Sequence, residues 1–369
     1  MEFKSDSRFS IENQPDIPDQ DAFRVLKAVE SERAKRVVAL EKSVARMRDI
    51  QAKYRAALDS VMSREKQAGL RAFMAAEKKS FDEKMFTGAE KRLTNDGIER
   101  LLAERVAKTA QFMKRSGIDA TVLGKVKKDF RKAFDRAFKP EVPVYEGRPA
   151  RVMLPGEIPQ AVREGKLNPW VEKVAPSSTW AWWYDGFTDG FSFDPTVYAD
   201  SAAAFVGNIS YLHDNDAGDF DTANVDFESR VGWWYKMPSA GILEVYVQMQ
   251  PSECLHYLSL HDEFGISDSF SSQYDYATFR VRGGSYRTSS SSWNRWDGFR
   301  SGSWSFRHLT PGSSYWFHFF SAEAYAKDAW VLPEAGTMSR HRTFANDVSV
   351  YSKMDFRFFI QRMYVRVAP

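Results

Sequence analysis

A chain of 369 residues, 43% apolar and 15% aromatic, can bury a substantial core, which excludes a disordered tail. Its net charge of +3 is the balance of two opposed halves: 30 Lys and Arg stand against 17 Asp and Glu over residues 21–140, and 15 against 22 over residues 176–369. The single cysteine, Cys254, excludes an intrachain disulfide, and no apolar run approaches the roughly 18 residues that a membrane-spanning helix needs.

Residues 1–20 are acidic and polar, with Pro15 and Pro18, and read as a flexible N-terminal segment. They lack the apolar stretch of a signal peptide. The expected localisation is therefore synthesis in the cytoplasm, followed by residence in a cytoplasmic assembly or in a released particle.

Residues 21–139 read as a basic α-helical stalk or anchoring module. Between Asp19 and Met85 there is no Pro and one Gly, Gly69, among abundant Ala, Glu, Lys and Arg, which predicts one long helix. Val37, Leu40, Val44, Met47, Tyr54, Leu58 and Val61 recur at spacings of three and four, a partial coiled-coil seam interrupted by Gln51. So narrow a stripe must be covered, either by a second copy of the chain in a dimer or trimer or by the helices that follow. Those helices form a hairpin. Asp96 and Glu99 resemble a capping box, Ser116-Gly117 ends the first helix, and Asp119 caps a second that carries Leu123, Val126, Phe130 and Phe134 to Pro140. The Lys and Arg of this last helix occupy the face left over from its apolar stripe, and no base-reading cluster accompanies them, so nucleic acid is not an expected partner.

Residues 140–176 contain seven prolines and read as an extended connector. Residues 177–369 then change to short alternating runs with polar turns. Predicted strands cover 231–236, 242–249, 254–261, 276–281, 303–309, 314–320, 348–351 and 356–367, the pattern of an antiparallel β-sandwich of jelly-roll type. The whole is an α+β multidomain chain: long helix, helical hairpin and β-sandwich head.

No cofactor is expected, because the chain lacks HExxH, paired Cys/His units, GxSxG, GxxxxGKS and GxGxxG. Asp214, Asp216, Asp219 and Asp221 offer carboxylates of the kind Ca²⁺ takes, but the spacing departs from an EF-hand loop and a polar surface loop is the plainer reading. The aromatics carry more weight. The adjacent pairs Trp182-Trp183 and Trp233-Trp234 should place one ring on each face of a strand, leaving Trp183 and Trp234 available outside. Residues 285–298 read as an exposed loop displaying Tyr286, Arg287, Trp293, Arg295 and Trp296, residue types that stack on sugar rings and anchor protein partners. The expected function is a non-enzymatic, self-associating stalk and head that binds a glycan or protein, a plan shared architecturally with fibre and receptor-binding proteins of phage-like particles. A structural or adaptor subunit of a larger assembly and a polysaccharide-active enzyme are the alternatives.

Overall fold

The computed structural model describes residues 5–11, 19–86, 95–138, 151–164, 170–173, 176–189, 192–214, 221–262, 268–281, 286–296, 302–307, 309–346 and 348–368. The helices are α1 (Asp19–Val61), α2 (Arg64–Phe86), α3 (Asn95–Arg115), α4 (Ala120–Phe138) and the single turn α5 (Gln160–Arg163). The single helix expected to reach Met85 is thus interrupted at Met62 and Ser63. The Ser63 hydroxyl accepts the Lys66 amide at 3.3 Å, so a serine cap lets the chain stop and restart a helix where apolar periodicity alone predicts none. The signals between the hairpin helices act as the sequence indicates, whereas Asp96, read as a cap, lies inside α3. Gly117, at φ +61, lets the Ile118 amide return to the Met113 carbonyl at 2.8 Å, and Asp119 Oδ1 accepts the Thr121 and Val122 amides.

The seam of α1 is covered within the chain. Met47, Tyr54 and Leu58 are buried in one cluster with Met62, Leu70, Met113, Ile118, Leu123 and Phe130, and the rings of Tyr54 and Phe130 stack 4.3 Å apart. Val44 is buried, Val37 and Val61 are half-buried, and the side chain of Leu40 lies outside the described residues. The coiled-coil expectation is corrected accordingly: α4 supplies the surface that a second copy of the chain would have supplied. Gln51, the break in the seam, donates through Nε2 to Thr222 Oγ1 at 2.7 Å, so the polar interruption is where α1 meets the β structure.

The strands in chain order are β1 (Ser5–Ile11), β2 (Arg151–Met153), β3 (Val171–Lys173), β4 (Ser178–Asp189), β5 (Ser192–Asp200), β6 (Phe205–Asp214), β7 (Asp221–Gly232) and β8 (Tyr235–Lys236). They continue with β9 (Gly241–Asp262), β10 (Asp268–Val281), β11 (Tyr286–Trp296), β12 (Gly302–Arg307), β13 (Tyr315–Tyr325), β14 (Trp330–Val331), β15 (Pro333–Asn346) and β16 (Val348–Val367). Every pairing is antiparallel. A six-stranded sheet has the order β1-β4-β7-β15-β10-β11, and an eight-stranded sheet the order β2-β13-β9-β16-β6-β5, with β12 on β9 and β3 on β16; β14 and β8 form a short ladder of their own. The segment Ser5–Ile11, read as part of a flexible terminus, is the edge strand β1 hydrogen-bonded along β4.

The two sheets face one another across an apolar core. Val231, Ala277, Phe279 and Ala335 of the smaller sheet meet Val206, Val245, Val247, Met249, Phe317, Phe358 and Val365 of the larger. Cys254 belongs to this core, and burial pushes its thiol far above the ordinary range, so it acts as a small apolar residue. Strands β9 and β16 each continue through what the sequence suggests are two strands. Pro251 stands opposite Phe358, at a register shift in their ladder, where a residue without an amide proton is tolerated.

The connector does not hang free where it is described. Met153, Ile158, Val162 and Trp170 pack on Tyr246 and Tyr364, on the outer face of the larger sheet. The Arg366 guanidinium lies 4.2 Å over the Trp170 ring and donates to Glu244 at 2.6 Å. On the outer face of the smaller sheet a row of charge is buried. Arg230 pairs with Glu228 and lies over Trp180, Trp182 Nε1 donates to the same Glu228, and Arg342 Nε donates to Asn224 Oδ1. This is the face that α1 meets through Gln51, and Arg24 of the same helix donates to the Trp330 carbonyl at the other end. Helix α1 therefore touches the sandwich at Gln51 and at Arg24. Among the described residues no helix is long and apolar enough to cross a membrane.

Polar side chains also bridge the two sheets inside the core. His341 is held between the Ser210 and Ser352 hydroxyls at 2.8 and 2.6 Å, Gln273 donates to Ser352, Asn208 donates to Ser339, and His256 pairs with Asp275. Complete burial, with His256 nearby, pushes the His341 imidazole down to about 3 from its ordinary 6.5. The fold thus holds it neutral. Above pH 6.5 the unfolded chain is neutral there too; between pH 6.5 and 3 the unfolded chain takes up a proton that the fold refuses, so stability falls with acidity by up to about 1.4 kcal/mol per pH unit from this group. Denaturant midpoints measured from neutral to about pH 4 should decline more steeply for the parent than for His341→Gln. Parallel profiles for the two proteins would remove His341 as the cause.

Candidate functional site

One end of the outer face of the larger sheet is covered by the connector; the other is left open by the described residues, and the strand pleat decides what it displays. Along β16, Val350, Ser352, Met354, Phe356 and Phe358 point inward and are buried, so Tyr351, Lys353, Asp355 and Arg357 point outward. Along β6 the same alternation puts Leu212, Ser210 and Asn208 inside and His213, Tyr211 and Ile209 outside. Cross-strand register then assembles four rows. They run His213, Tyr351, Ser259; Asp194, Tyr211, Lys353, Tyr257, Ser305; Thr196, Ile209, Asp355, Leu255, Arg307; and Tyr198, Gly207, Arg357, Glu253.

The rings at the centre support one another. Tyr257 and His213 each stand edge-on to Tyr351, with centroids 5.7 Å away, and Tyr211 lies 6.4 Å from Tyr351. All four are half-buried, with one side in contact and the other toward solvent. Burial raises the Tyr351 hydroxyl pKa, Tyr211 adds to it, and Lys353 only partly offsets it, so the phenol remains a donor at neutral pH.

The charges form closed pairs. Arg357 grips Asp355 with two bonds, Nε to Oδ1 at 2.6 Å and Nη2 to Oδ2 at 3.0 Å, while Lys353 Nζ lies 3.4 Å from the same carboxylate and 5.2 Å from the Tyr211 ring. Burial pulls the Lys353 ammonium down, but Tyr211 and Asp355 outweigh it and leave its pKa raised. Arg307 makes a second two-pronged pair with Glu253, at 2.9 and 3.2 Å. Burial pushes the Glu253 carboxyl up, but Arg307 and the Cys254 amide pull it below its usual range. Glu244, between His318 and Arg366 at the covered end, is lowered for the same kind of reason against the same opposing burial. A general acid needs a raised carboxyl pKa, so neither Glu253 nor Glu244 is suited to that role.

The residues singled out from sequence lie elsewhere. Trp234 is enclosed with Leu332 and Trp330, and Trp233 is in the main core, so both members of that pair are inside. Trp183 faces the interior against Phe193, and its neighbour Trp182 is buried on the opposite face. In both pairs a second layer covers the face that strand alternation alone leaves open. Tyr286, Arg287, Trp293, Arg295 and Trp296 fall on the edge strand β11, paired with β10, where a loop is expected; their side chains lie outside the described residues. Asp214 ends β6 and Asp221 begins β7, while Asp216, Asp219 and the side chains of the other two lie outside the described residues. Among the described residues no group of three His, Cys, Asp or Glu side chains could hold a metal ion. The tyrosine cluster was missed from sequence because its rings are dispersed over β6, β9 and β16. The signal was the outward alternation of Tyr211 with His213 and of Tyr351 with Lys353.

No family model and no curated protein matches this chain. Among solved structures it is similar to the enzymatically active domain of bacteriophage CBA120 tailspike protein 4, at 7% identity and a TM-score of 0.13, over 55% of this chain and 20% of that one. It is also similar to TmCBM61 in complex with β-1,4-galactotriose, at 10% identity and a TM-score of 0.12, over 51% of this chain and 91% of that one. TmCBM27, a carbohydrate-binding module described for mannan recognition, matches at 11% identity and a TM-score of 0.11, over 50% of this chain and 89% of that one. The chain spans about a fifth of the tailspike domain, and TM-scores this low carry no argument about fold or function.

Gly207 is the backbone requirement of the site. It lies at φ +152 under Arg357, and a β-carbon there would come within 2.6 Å of the Arg357 Cα and 2.7 Å of its Cγ. Gly207→Ala should cost about 1–3 kcal/mol of stability and dislodge Arg357 from Asp355. Unchanged denaturation together with unchanged Arg357 side-chain NMR shifts would refute the close approach.

Proposed function

We propose that this protein is a non-enzymatic binding protein that holds a glycan against the open face of its eight-stranded sheet. The observation that carries the reading is the group of half-buried rings, Tyr211, Tyr257, Tyr351 and His213, around Lys353 and Arg357 on that face. A sugar ring presents C–H bonds on its faces and hydroxyls on its rim. Aromatic faces bury the first, while phenols, ammonium and guanidinium groups bond the second. Because these side chains stand on adjacent strands and are already locked by mutual contacts, little side-chain freedom is lost on binding. The two central rows cross five strands, from β5 to β12, at about 4.8 Å each, which suits an oligosaccharide better than a single sugar. A glycan is favoured over a protein partner because protein hot spots centre on fully desolvated apolar anchors, whereas the centre of this face is an ion-paired lysine and arginine.

The non-enzymatic part of the proposal is supported by the carboxylates, since Asp355 and Glu253 are each gripped by an arginine and Glu253 is held below its usual range. Tyr351→Ala and Tyr257→Ala in the full chain should each weaken binding to a glycan identified on an array by about tenfold, or about 1.4 kcal/mol, by titration calorimetry. Both rings are outward and half-exposed, so the melting temperature should move by only a few degrees. A large drop in Tm with unaltered affinity would make them structural and the proposal wrong.

A further inference from the structure

We infer that the ligand is a neutral, hydroxyl-rich glycan and that acidic sugars bearing carboxylate or sulfate groups are discriminated against; this rests on the glycan-binding reading above. The open face is charge-balanced among the described residues of its four rows. Across them three cations, Lys353, Arg357 and Arg307, stand against three carboxylates, Asp355, Glu253 and Asp194, and the exposed Asp200 follows on the same face of β5. Five of the six in the rows are joined, Lys353 and Arg357 on Asp355 and Arg307 on Glu253, and Asp355 is nearly inaccessible behind its two partners. An incoming anion would meet cations whose charge the nearby carboxylates already offset, and it could gain a two-pronged pair of its own only by opening Arg357–Asp355 or Arg307–Glu253. It would also pass the exposed Asp194, which stands opposite Tyr211 in the row that contains Lys353.

A hydroxyl group meets no such barrier. The protons of Lys353 and Arg357 that do not face Asp355 can donate to it, and Asp194 and the tyrosine oxygens can accept from it, with no ion pair opened. Neighbouring hydroxyls on one sugar ring can then be bonded in opposite senses by a donor in one row and an acceptor in the next. A balanced face also exerts little long-range attraction, so binding should depend weakly on ionic strength.

The test uses the full chain and matched oligosaccharides: neutral hexose oligomers, and the same backbones carrying uronate or sulfate groups. Their affinities are measured by titration calorimetry from about 0.02 to about 0.5 M salt. Neutral oligomers should bind at least about tenfold more tightly than acidic ones, with dissociation constants that move less than about twofold over that range. Asp194→Asn removes one exposed carboxylate without touching an ion pair; it should narrow the gap by improving the acidic ligands several-fold while leaving the neutral ones nearly unchanged. Preferred binding of acidic oligomers that weakens steeply with salt would overturn this inference and leave the glycan reading standing. Failure to bind any oligomer of either kind would overturn both.

Discussion

The long ladder between β9 and β16 is the constraint on which the rest of the structure depends. Each strand runs for about 20 residues, and except at the register shifts one side chain enters the core while the next leaves it. Two register shifts let the ladder follow the twist of the sheet without exchanging its faces. Met249, Cys254, Phe356, Phe358 and Met363 therefore stay inside, and Tyr257, Lys353, Tyr364 and Arg366 stay outside. The same two strands thereby carry the open tyrosine face at one end and the Trp170 dock at the other. A slip of one residue would invert both.

Buried polar groups add directional contacts to the packing of this molecule. Pairs such as Arg230 with Glu228 in the smaller sheet, and the bridge of His341 between Ser210 and Ser352, are weak contributors to net stability because each group must first leave water. Their geometry is demanding, however, and each has few acceptable alternatives. The His341 bridge fixes one sheet against the other. The charged row lies on the face that α1 meets, where a hydroxyl-to-amide contact such as Thr222 with Gln51 has a direction that apolar packing lacks.

The open face differs from these interior networks in one respect. Its ion pairs are completed at the surface, and the rings beside them are only half enclosed. Pairing among themselves keeps Asp355 and Arg357 in place when nothing is bound, and the two-pronged geometry leaves the outer edge of the guanidinium pointing away. Gly207 contributes by what it lacks, since the arginine stem occupies the space a side chain would take.

The sequence by itself determined the local elements whose signals span a few residues. Gly117 and Asp119 mark the helix hairpin because a left-handed residue and a side-chain cap are local requirements, and Ile242 to Met249 reads as a strand because its alternation is complete. The burial of Cys254 was legible for the same reason. Only the tertiary structure decided which exposed-looking stripes were covered. The α1 seam is satisfied by α4, with Tyr54 stacked on Phe130 76 residues further along the chain, and Trp182 and Trp234 are enclosed by layers that strand periodicity does not describe. It likewise decided the site. Tyr211, Tyr257 and Tyr351 stand on three strands separated by 46 and 94 residues, and each was an unremarkable outward tyrosine until the register of β6, β16 and β9 set them side by side. Capping and alternation are properties of a segment, whereas covering a face and gathering a cluster are properties of pairing between segments, which composition and period do not encode.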